Sequence, residues 1–260
     1  MFGLGPDVKR NVNEAIKNTI AEFEARDNFT TKLGEPVIGY ADVRNPLFDM
    51  FFTRGLSKHP KEILQAGYTV VVYFLPYDED AVRENLNSKE PGEKWKKAFF
   101  DTMWLSMRIN ANVRQVFEDV GRLTSLMNVP TDWDEKRHIE GWSHKLAAFA
   151  AGIGEIGPAG CFRTPDGRLG RVGGIITDGI YAADFDMLSN EQLETVYQQI
   201  LTDSCFQEAE NVECSDEMIS ACPGCAISKG GIDRAKCQEY CKTVNEHTPS
   251  PDVCGKCFRF

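Results

Sequence analysis

Hydrophobic residues recur along the chain with two different spacings, which predict both helices and strands. From Asp7 onward, apolar residues return every three or four positions, as on one face of an amphipathic helix: Val8, Val12, Ile16, Ile20 and Phe23. Residues 91–127 have the same spacing and predict one long helix or two abutting ones. Residues 36–43 and 68–75 are rich in β-branched and aromatic residues and predict strands, the second buried on both faces. Residues 59–67 predict a short helix between these strands.

The following part of the chain predicts a glycine-rich connection between a helix and a strand. Residues 142–152 contain small and apolar side chains that predict a closely packed helix. Four glycines then punctuate a turn: Gly152, Gly154, Gly157 and Gly160. Residues 171–177 predict a strand that ends at an Asp-Gly turn. Ser189 and Gln192 have the spacing of a capping box, which predicts a helix over residues 191–201.

The composition indicates a folded protein with a distinct C-terminal segment. Of the 260 residues, 42% are hydrophobic and 26% are charged, which is typical of a globular chain. Beyond residue 203 the apolar periodicity fades, and glycine, proline and cysteine become frequent. We therefore predict two parts, a globular domain over residues 1–203 and a cysteine-rich segment over residues 204–260.

Hydropathy and charge limit the location and the partners of the chain. The longest apolar stretch, residues 68–75, is far shorter than the roughly 20 residues that a membrane helix needs. The first residues lack an apolar core followed by a cleavage site, so no secretory signal is expected and the cytoplasm is the predicted location. With 29 Lys and Arg against 39 Asp and Glu, the net charge of -10 disfavours nucleic acid as a partner.

The cysteines are concentrated at the end of the chain. Of the 9 cysteines, Cys161 stands alone in the first part. The others follow it in the tail: Cys205, Cys214, Cys222, Cys225, Cys237, Cys241, Cys254 and Cys257. Structural disulfides are rare in a reducing compartment, and a short polar segment gains folding free energy when its thiolates bind a metal. The spacing therefore predicts a metal site, ahead of a redox dithiol or an incidental cluster of cysteines.

The spacing of the cysteines is compatible with two kinds of metal site, iron–sulfur and zinc. Cys222-Pro223 supplies the closing pair of a ferredoxin motif, but the three positions expected for its preceding cysteines hold other residues. A four-thiolate iron–sulfur site can instead be assembled from Cys222, Cys237, Cys254 and Cys257. The zinc alternative uses Cys222, Cys225, Cys237 and Cys241. The spacing favours iron–sulfur over zinc without excluding zinc.

Three motifs then occur in a recognisable order. They are WSHKLAAFAAGIGEIG at residues 142–157, PAGCFRTPDG at 158–167 and GRVGGIITD at 170–178. Together they resemble the signature of the epoxyqueuosine reductase and reductive dehalogenase superfamily, in which A-A-G-L-G-x-x-G, T-P-x-G and R-x-G-x-I-I-T-D precede a cysteine-rich tail. The resemblance covers about residues 138–180, and it extends to parts of the tail around residues 221–227 and 231–237.

This resemblance implies a fold and its cofactors. It implies an α+β chain with a nitroreductase-like sandwich and a C-terminal, cysteine-rich, ferredoxin-like segment. It also implies a cobalamin-type corrinoid close to a 4Fe-4S cluster, and so favours iron–sulfur further over zinc. The residues that would bind the corrinoid are Gly152, Gly154, Gly157, Gly160 and Arg171. Glycines allow the backbone to approach a flat cofactor closely, and the alternative interpretation is a tight helix-to-strand turn without any ligand.

The chain also departs from the family. A catalytic aspartate of epoxyqueuosine reductases lies thirteen residues before the alanine of the A-G-L-G stretch, and the same count from Ala151 reaches His138. His138 is therefore the predicted acid, with Asp132, Asp134 or His144 as neighbours, and we predict His138 and His144 as catalytic residues. The chain lacks the C-terminal extension of tRNA-modifying relatives and is acidic, which argues against tRNA as the substrate.

These observations predict an iron–sulfur, cobalamin-binding oxidoreductase. Its substrate would be a small molecule or the corrinoid itself, and its electron donor a protein such as ferredoxin or flavodoxin. Two alternatives stay open. One is a noncatalytic corrinoid or metal carrier, and the other is a zinc-stapled flavin reductase that binds FMN on the same fold.

Overall fold

The computed structural model describes residues 6–125, 141–157, 160–181, 189–203, 214–229, 231–247 and 251–259. Its helices are α1 (Pro6–Glu24), α2 (Pro46–Thr53), α3 (Pro60–Ile63), α4 (Glu79–Asn87), α5 (Glu93–Glu118), α6 (His144–Ala150), α7 (Asn190–Asp203), α8 (Asp216–Ala221), α9 (Arg234–Val244) and α10 (Pro251–Cys254). Its strands are β1 (Val37–Asp42), β2 (Thr69–Pro76), β3 (Glu155–Ile156), β4 (Phe162–Arg163), β5 (Gly170–Thr177), β6 (Ile227–Ser228) and β7 (Gly231–Ile232).

A three-stranded antiparallel sheet lies at the centre of the fold. The strand order is β1-β2-β5, so β2 is hydrogen-bonded on both sides. Val71 pairs with Tyr40 of β1 and with Ile175 of β5, which fixes the register across the sheet. Every residue of β2 is buried. The continuous apolar run of this strand follows from its position, since helices cover both of its faces.

The two faces of the sheet carry separate hydrophobic cores. Successive side chains of a strand point to opposite faces, and β2 divides its apolar residues in this way. Val71, Tyr73 and Leu75 pack with α1 and α5 on one face. Val70, Val72 and Phe74 pack with α2 and α6 on the other. The described residues therefore have the mixed α and β character that the sequence predicts, while the nitroreductase-like topology remains a prediction.

Several predicted elements are confirmed. Helix α1 buries the predicted stripe from Val8 to Phe23, and the predicted strands correspond to β1, β2 and β5. The predicted capping box is present, because the Ser189 amide donates to Gln192 Oε1 at 2.8 Å and the Gln192 amide donates to Ser189 Oγ at 3.3 Å. The predicted helix at residues 59–67 is shortened to α3, which His59 caps.

The prediction for residues 91–127 requires a correction. The segment forms the single helix α5, which ends at Glu118, and Val120 and Leu123 lie beyond it with exposed side chains. The chain leaves the helix at Gly121, which has a φ of 70° that glycine adopts readily. Thr124 then bridges to Thr177 of β5. The apolar spacing of Val120 and Leu123 therefore matches the helical pattern, although both residues lie beyond the end of the helix.

The C-terminal segment packs against α4 and α5 through one tryptophan. The Trp95 ring lies between Tyr77 and Phe258, with ring centroids 5.1 Å and 5.5 Å away. Its indole Nε1 donates to the Asp252 carbonyl at 2.9 Å. A Cβ atom on Gly255 would overlap the same ring, and Gly255 has a φ of 59°. These contacts bring the last two cysteines against the main body of the protein.

The predicted boundary near residue 203 stays a prediction. Helix α7 ends at Asp203, and residues 204–213, including Cys205, lie outside the described residues. None of the helices described in the structure has the length and hydropathy needed to cross a membrane.

Candidate functional site

The glycine-rich turn begins as a helix cap. Gly152 has a φ of 72°, and its amide donates to the Phe149 carbonyl at 2.9 Å. The next amide, that of Ile153, donates to the Ala148 carbonyl at 3.2 Å. This is the Schellman pattern of a helix that ends at a left-handed glycine. The end of α6 therefore gives Gly152 a local structural role.

The other predicted glycines shape a small hairpin formed by β3 and β4. The Gly157 amide donates to the Cys161 carbonyl at 2.9 Å, and the Gly160 amide donates to the Gly157 carbonyl at 3.2 Å. A side chain on Gly154 would overlap the Phe162 ring and a backbone carbonyl of β4. These contacts support the interpretation of a tight turn. The corrinoid role of the glycines remains a prediction that none of these contacts requires.

The predicted cofactor residue Arg171 is directed at helix α5. Its Nε donates to Thr102 Oγ1 at 3.1 Å, and one terminal nitrogen donates to the Phe99 carbonyl at 3.1 Å. Its guanidinium carbon also lies 4.6 Å from the centre of the Phe99 ring. The arginine is thus held by the protein itself, and its proposed contact with a cofactor remains untested.

Of the two predicted catalytic histidines, His144 is described and His138 lies outside the described residues. His144 is the first residue of α6, directly after the capping residue Ser143, whose Oγ accepts the Leu146 amide at 3.3 Å. Its half-buried ring lines a cavity of about 10 Å³, the size of one water molecule. The cavity is also lined by Val70, Val72, Ser125, Trp142, Gly174, Ile175 and Ile176.

Burial keeps the His144 ring neutral. Desolvation, with the positive charge of Arg171 as a second cause, lowers the pKa of His144 to about 4, although its hydrogen bond with the Gly174 backbone acts in the opposite direction. A neutral imidazole at pH 7 suits a hydrogen-bonding role better than proton donation. The structure therefore gives His144 a different protonation state from that of a general acid at neutral pH.

We expect His144 to make the stability of the protein depend on pH. Its pKa is about 4 in the folded protein against 6.5 for an ordinary histidine, so between these values only the unfolded chain binds the proton. Above pH 6.5 this contribution to the free energy of unfolding is fully present. As the pH falls from 6.5 to about 4, up to about 3 kcal/mol of it should be lost. Urea denaturation measured at several pH values checks this.

His144→Asn should flatten that pH dependence because asparagine does not titrate. The exposed His247→Gln is the matched control and should keep the wild-type profile. An identical slope in the wild type and in His144→Asn would contradict the assignment.

Among the predicted metal ligands, Cys222 has a distinctive backbone environment. The Ala226 amide donates to Cys222 Sγ at 3.3 Å. The pKa of Cys222 is raised overall because of burial, and hydrogen bonds from the amides of Ala226, Ile227 and Gly224 offset part of this shift. The intervening Cys225 is exposed and has a φ of 48°, which turns the chain back around the sulfur. Amides directed at a sulfur stabilise a thiolate, which is the form that binds metal.

Cys237 and Cys241 form a second thiol pair on one face of α9. They are four residues apart, so a helix places their side chains next to each other. The hydrogen bond with Cys241 lowers the pKa of Cys237, and the same bond raises the pKa of Cys241. Cys237 is therefore the member of this pair that ionises first.

The last two cysteines bring together several parts of the molecule. The pKa of Cys254 is raised to about 12, with burial as the largest cause; the Lys256 amide opposes this shift, and the thiols of Cys257, Cys237 and Cys222 add to it in that order. Cys257 Sγ lies 3.8 Å from the sulfur of the fully buried Cys161 in the glycine hairpin. The tail and the hairpin thus meet at a pair of sulfur atoms.

A lysine that the sequence analysis did not select connects the same elements. Lys145 Nζ donates to Asp252 Oδ1 at 2.8 Å and to the Gly160 carbonyl at 3.2 Å. Burial alone would lower the pKa of Lys145, but the Asp252 carboxylate and the thiols of Cys161 and Cys257 raise it above its ordinary value. Lys145 follows His144 in the WSHK motif, and this adjacency was the only sequence signal for it.

The described thiols approach one another in pairs. Within the parts of the chain that the structure describes, no three histidine, cysteine or acidic side chains converge on a metal-sized point. The chemistry of the donor set nevertheless fits a metal–thiolate centre, because the donors are thiols and backbone amides are directed at Cys222. The electrostatic neighbours of Cys254 include Cys222, Cys237 and Cys257, the residues of the predicted four-thiolate set, and Cys241 interacts with it as well.

No protein-family model matches the chain, and no curated protein sequence matches it. Among solved structures, an epoxyqueuosine reductase from Streptococcus thermophilus is similar, with 13% identity, a TM-score of 0.46, and coverage of 90% of this chain and 58% of that one. Its counterpart from Bacillus subtilis is 15% identical, with a TM-score of 0.43 and coverage of 89% and 58%.

A selenomethionine-labelled epoxyqueuosine reductase is also similar, with 14% identity, a TM-score of 0.43 and coverage of 87% of this chain and 56% of that one. These structures carry the name of the superfamily that the sequence motifs resemble. The chain spans less than two thirds of the length of each of them.

Proposed function

We propose that the protein is an iron–sulfur oxidoreductase whose tail holds a 4Fe-4S cluster through Cys222, Cys237, Cys254 and Cys257. The observation that carries this proposal is the group of thiols around Cys254, whose electrostatic neighbours include the other three thiols of the set, with Cys241 beside them. The amides directed at Cys222 Sγ support it independently, because they favour a negatively charged sulfur.

The protein's own residues prepare these sulfur atoms for a metal. The pKa of Cys254 is about 12, so this thiol stays protonated at neutral pH until a metal replaces its proton. Apolar neighbours, including Phe99 and Val253, pack around Cys254 and limit the access of water. When bound, an iron–sulfur cluster supplies transfer of single electrons.

Serine substitutions distinguish the proposed ligand set from the zinc set. Cys254→Ser and Cys257→Ser should lower iron and acid-labile sulfide together in anaerobically purified protein. Cys225→Ser is the matched control, since this exposed cysteine belongs only to the zinc set and should leave the iron content unchanged. The measurement is the molar content of iron, sulfide and zinc per chain.

The opposite pattern would contradict the ligand set. Full iron and sulfide in Cys254→Ser would show that this thiol is not a ligand. A wild-type protein that contains zinc without sulfide, and that loses its zinc in Cys225→Ser, would favour the zinc-stapled alternative.

The finer proposal is that the enzyme also binds cobalamin and reduces a small molecule or the corrinoid itself, with electrons from ferredoxin or flavodoxin in the cytoplasm. The sequence resemblance over residues 138–180 supports it. The described glycine turn adds no support, because the amides of Gly152, Gly157 and Gly160 are bonded within the protein. We therefore assign no step of a reaction to a corrinoid.

Cofactor titration decides between the reductase and its alternatives. Anaerobic addition of cobalamin, followed by its visible spectrum and by equilibrium dialysis, should show binding to the iron-loaded protein. Tight binding of FMN in its place would favour the flavin reductase. Cobalamin binding without electron transfer from the cluster to the corrinoid or to a substrate would favour the noncatalytic carrier.

A further inference from the structure

Two cysteines from distant parts of the chain have their sulfur atoms in contact. Cys161 Sγ lies 3.8 Å from Cys257 Sγ and 3.8 Å from the Cys257 carbonyl oxygen, and the two residues are 96 positions apart. Cys161 is fully buried, whereas Cys257 is half-buried. Of the two residues, Cys257 is therefore the one that solvent reaches.

The packing of the glycine hairpin against the tail holds this pair in place. Lys145 Nζ donates to the Gly160 carbonyl at 3.2 Å and to Asp252 Oδ1 at 2.8 Å, and so connects the residue before Cys161 to the tail. Both cysteines belong to the apolar cluster around Trp95. The contact between the two sulfur atoms is thus part of a packed interface.

The two cysteines differ in their relation to the proposed metal centre. Cys257 belongs to the proposed iron–sulfur ligand set, whereas Cys161 belongs neither to that set nor to the zinc set. A buried cysteine without a ligand role usually acts as a small apolar side chain. The second sulfur distinguishes Cys161 from that case, because the pair at 3.8 Å needs to close by only about 1.8 Å to reach the length of a disulfide bond.

We propose that Cys161 is a resolving thiol, which forms a reversible disulfide with Cys257 when the centre has lost its metal and hydrogen peroxide is present. This inference rests on the proposed function, since it takes Cys257 to be a metal ligand. The metal and the disulfide exclude each other at the Cys257 sulfur. Transient, redox-sensing disulfides of this kind occur even in reducing compartments, where structural disulfides are rare.

The reaction proceeds in two steps. Peroxide first oxidises the metal-free Cys257 thiol to a sulfenic acid, while the O–O bond breaks and one water molecule leaves. The Cys161 sulfur then attacks the Cys257 sulfur, so that the S–O bond breaks, the disulfide bond forms and a second water molecule leaves. The two thiols together lose two electrons and two protons, which the peroxide accepts. A dithiol reductant returns them and restores both thiols.

The disulfide would preserve Cys257 as a ligand. Without a resolving thiol, a sulfenic acid is oxidised further to sulfinic and sulfonic acids, which a dithiol does not reduce. The bond would also keep the tail beside the hairpin while the metal is absent, because it closes a loop of 96 residues. Metal loss under oxidation should therefore be reversible in the wild type.

The test compares the wild type with Cys161→Ala and Cys225→Ser, each as the full-length protein purified anaerobically. Cys161→Ala keeps a small apolar side chain at the buried position, and Cys225→Ser is the matched control because it removes an exposed thiol outside the proposed ligand set. Iron and acid-labile sulfide per chain are measured first. An iron chelator and hydrogen peroxide are then added, the remaining thiols are alkylated, and mass spectrometry of a non-reducing digest identifies the linked peptides.

A second portion of each oxidised sample is reduced with a dithiol and reloaded with iron and sulfide. We expect all three proteins to contain the same iron before oxidation. The wild type and Cys225→Ser should give the Cys161–Cys257 peptide as the main cross-link of Cys257 and should regain their iron. Cys161→Ala should instead accumulate sulfinic and sulfonic acid at Cys257 and regain at least about threefold less iron.

Two results would overturn this inference alone. One is an iron-loaded wild type in which oxidised Cys257 is not linked to Cys161. The other is a loss of iron in Cys161→Ala before any oxidant is added, which would make Cys161 a metal ligand. Absence of iron and sulfide from the untreated wild type would overturn the proposed function and, with it, the competition between metal and disulfide at Cys257.

Discussion

Replacing Trp95 with alanine should lower the free energy of unfolding by about 3 to 5 kcal/mol, as expected for removing a large buried aromatic side chain. Trp95 is 1% exposed and contacts Tyr77, Phe258 and Gly255. The substitution also removes the hydrogen bond from the indole to the Asp252 carbonyl. We therefore expect the C-terminal segment to lose its packing against α5 together with the stability.

Helix α5 provides the matched control for this prediction. Trp104 lies on the same helix but is 60% exposed, so Trp104→Ala should change the unfolding free energy by no more than about 0.5 kcal/mol. Denaturant unfolding followed by circular dichroism measures both variants. Equal effects of the two substitutions would show that Trp95 does not anchor the tail.

Removal of the metal should expose the tail to proteolysis. In the described part of the tail, the buried apolar residues are few and several of them are cysteines: Cys214, Met218, Ala226, Ile227, Cys241, Val253, Cys254 and Phe258. A segment with so little apolar surface depends on metal binding for its stability. After chelation of iron, we expect cleavage near residue 204 to become at least about tenfold faster, a change of about 1.4 kcal/mol in protection.

The chelator must be tested separately from the loss of metal. Limited proteolysis with a chelator that is already saturated with iron is the control and should give the wild-type pattern. Mass spectrometry identifies the released fragment. Full protection of the tail after complete removal of the metal would mean that contacts with Trp95 and α5 are sufficient to hold it.

The main elements of the fold were predictable because their signals are local. The stripe of α1 and the alternating faces of β2 depend on the residues of each segment alone. The end of α5 was not predictable from apolar spacing, because Val120 and Leu123 extend the helical pattern beyond Gly121. Helices α2 and α4 were also missed, although Asn45 and Pro46 are a capping residue and a first helical residue that indicate α2.

The candidate site, like the fold, was predictable from the sequence only where its signals are local. Spacing alone selected the cysteine pairs, since residues three or four positions apart lie near each other in any compact turn or helix. Whether Cys254 lies near Cys222 and Cys237 depends on how the segments of the tail pack, and no local pattern contains that information. Cys161 and Cys257 are further apart still along the chain, and only the packing of the hairpin against the tail brings their sulfur atoms within 3.8 Å.

The sequence by itself determined the chemistry that is available: a tail rich in thiols, a glycine turn and the segments that form the sheet. The tertiary structure decided which charges are buried and what each glycine does. Gly154 leaves space for Phe162, His144 is kept neutral by burial, and the buried Lys256 is bonded to the carbonyls of Asn85 and Ser88. The physical reason is that residue type and spacing act locally, whereas desolvation and close contact depend on every segment that packs around a residue.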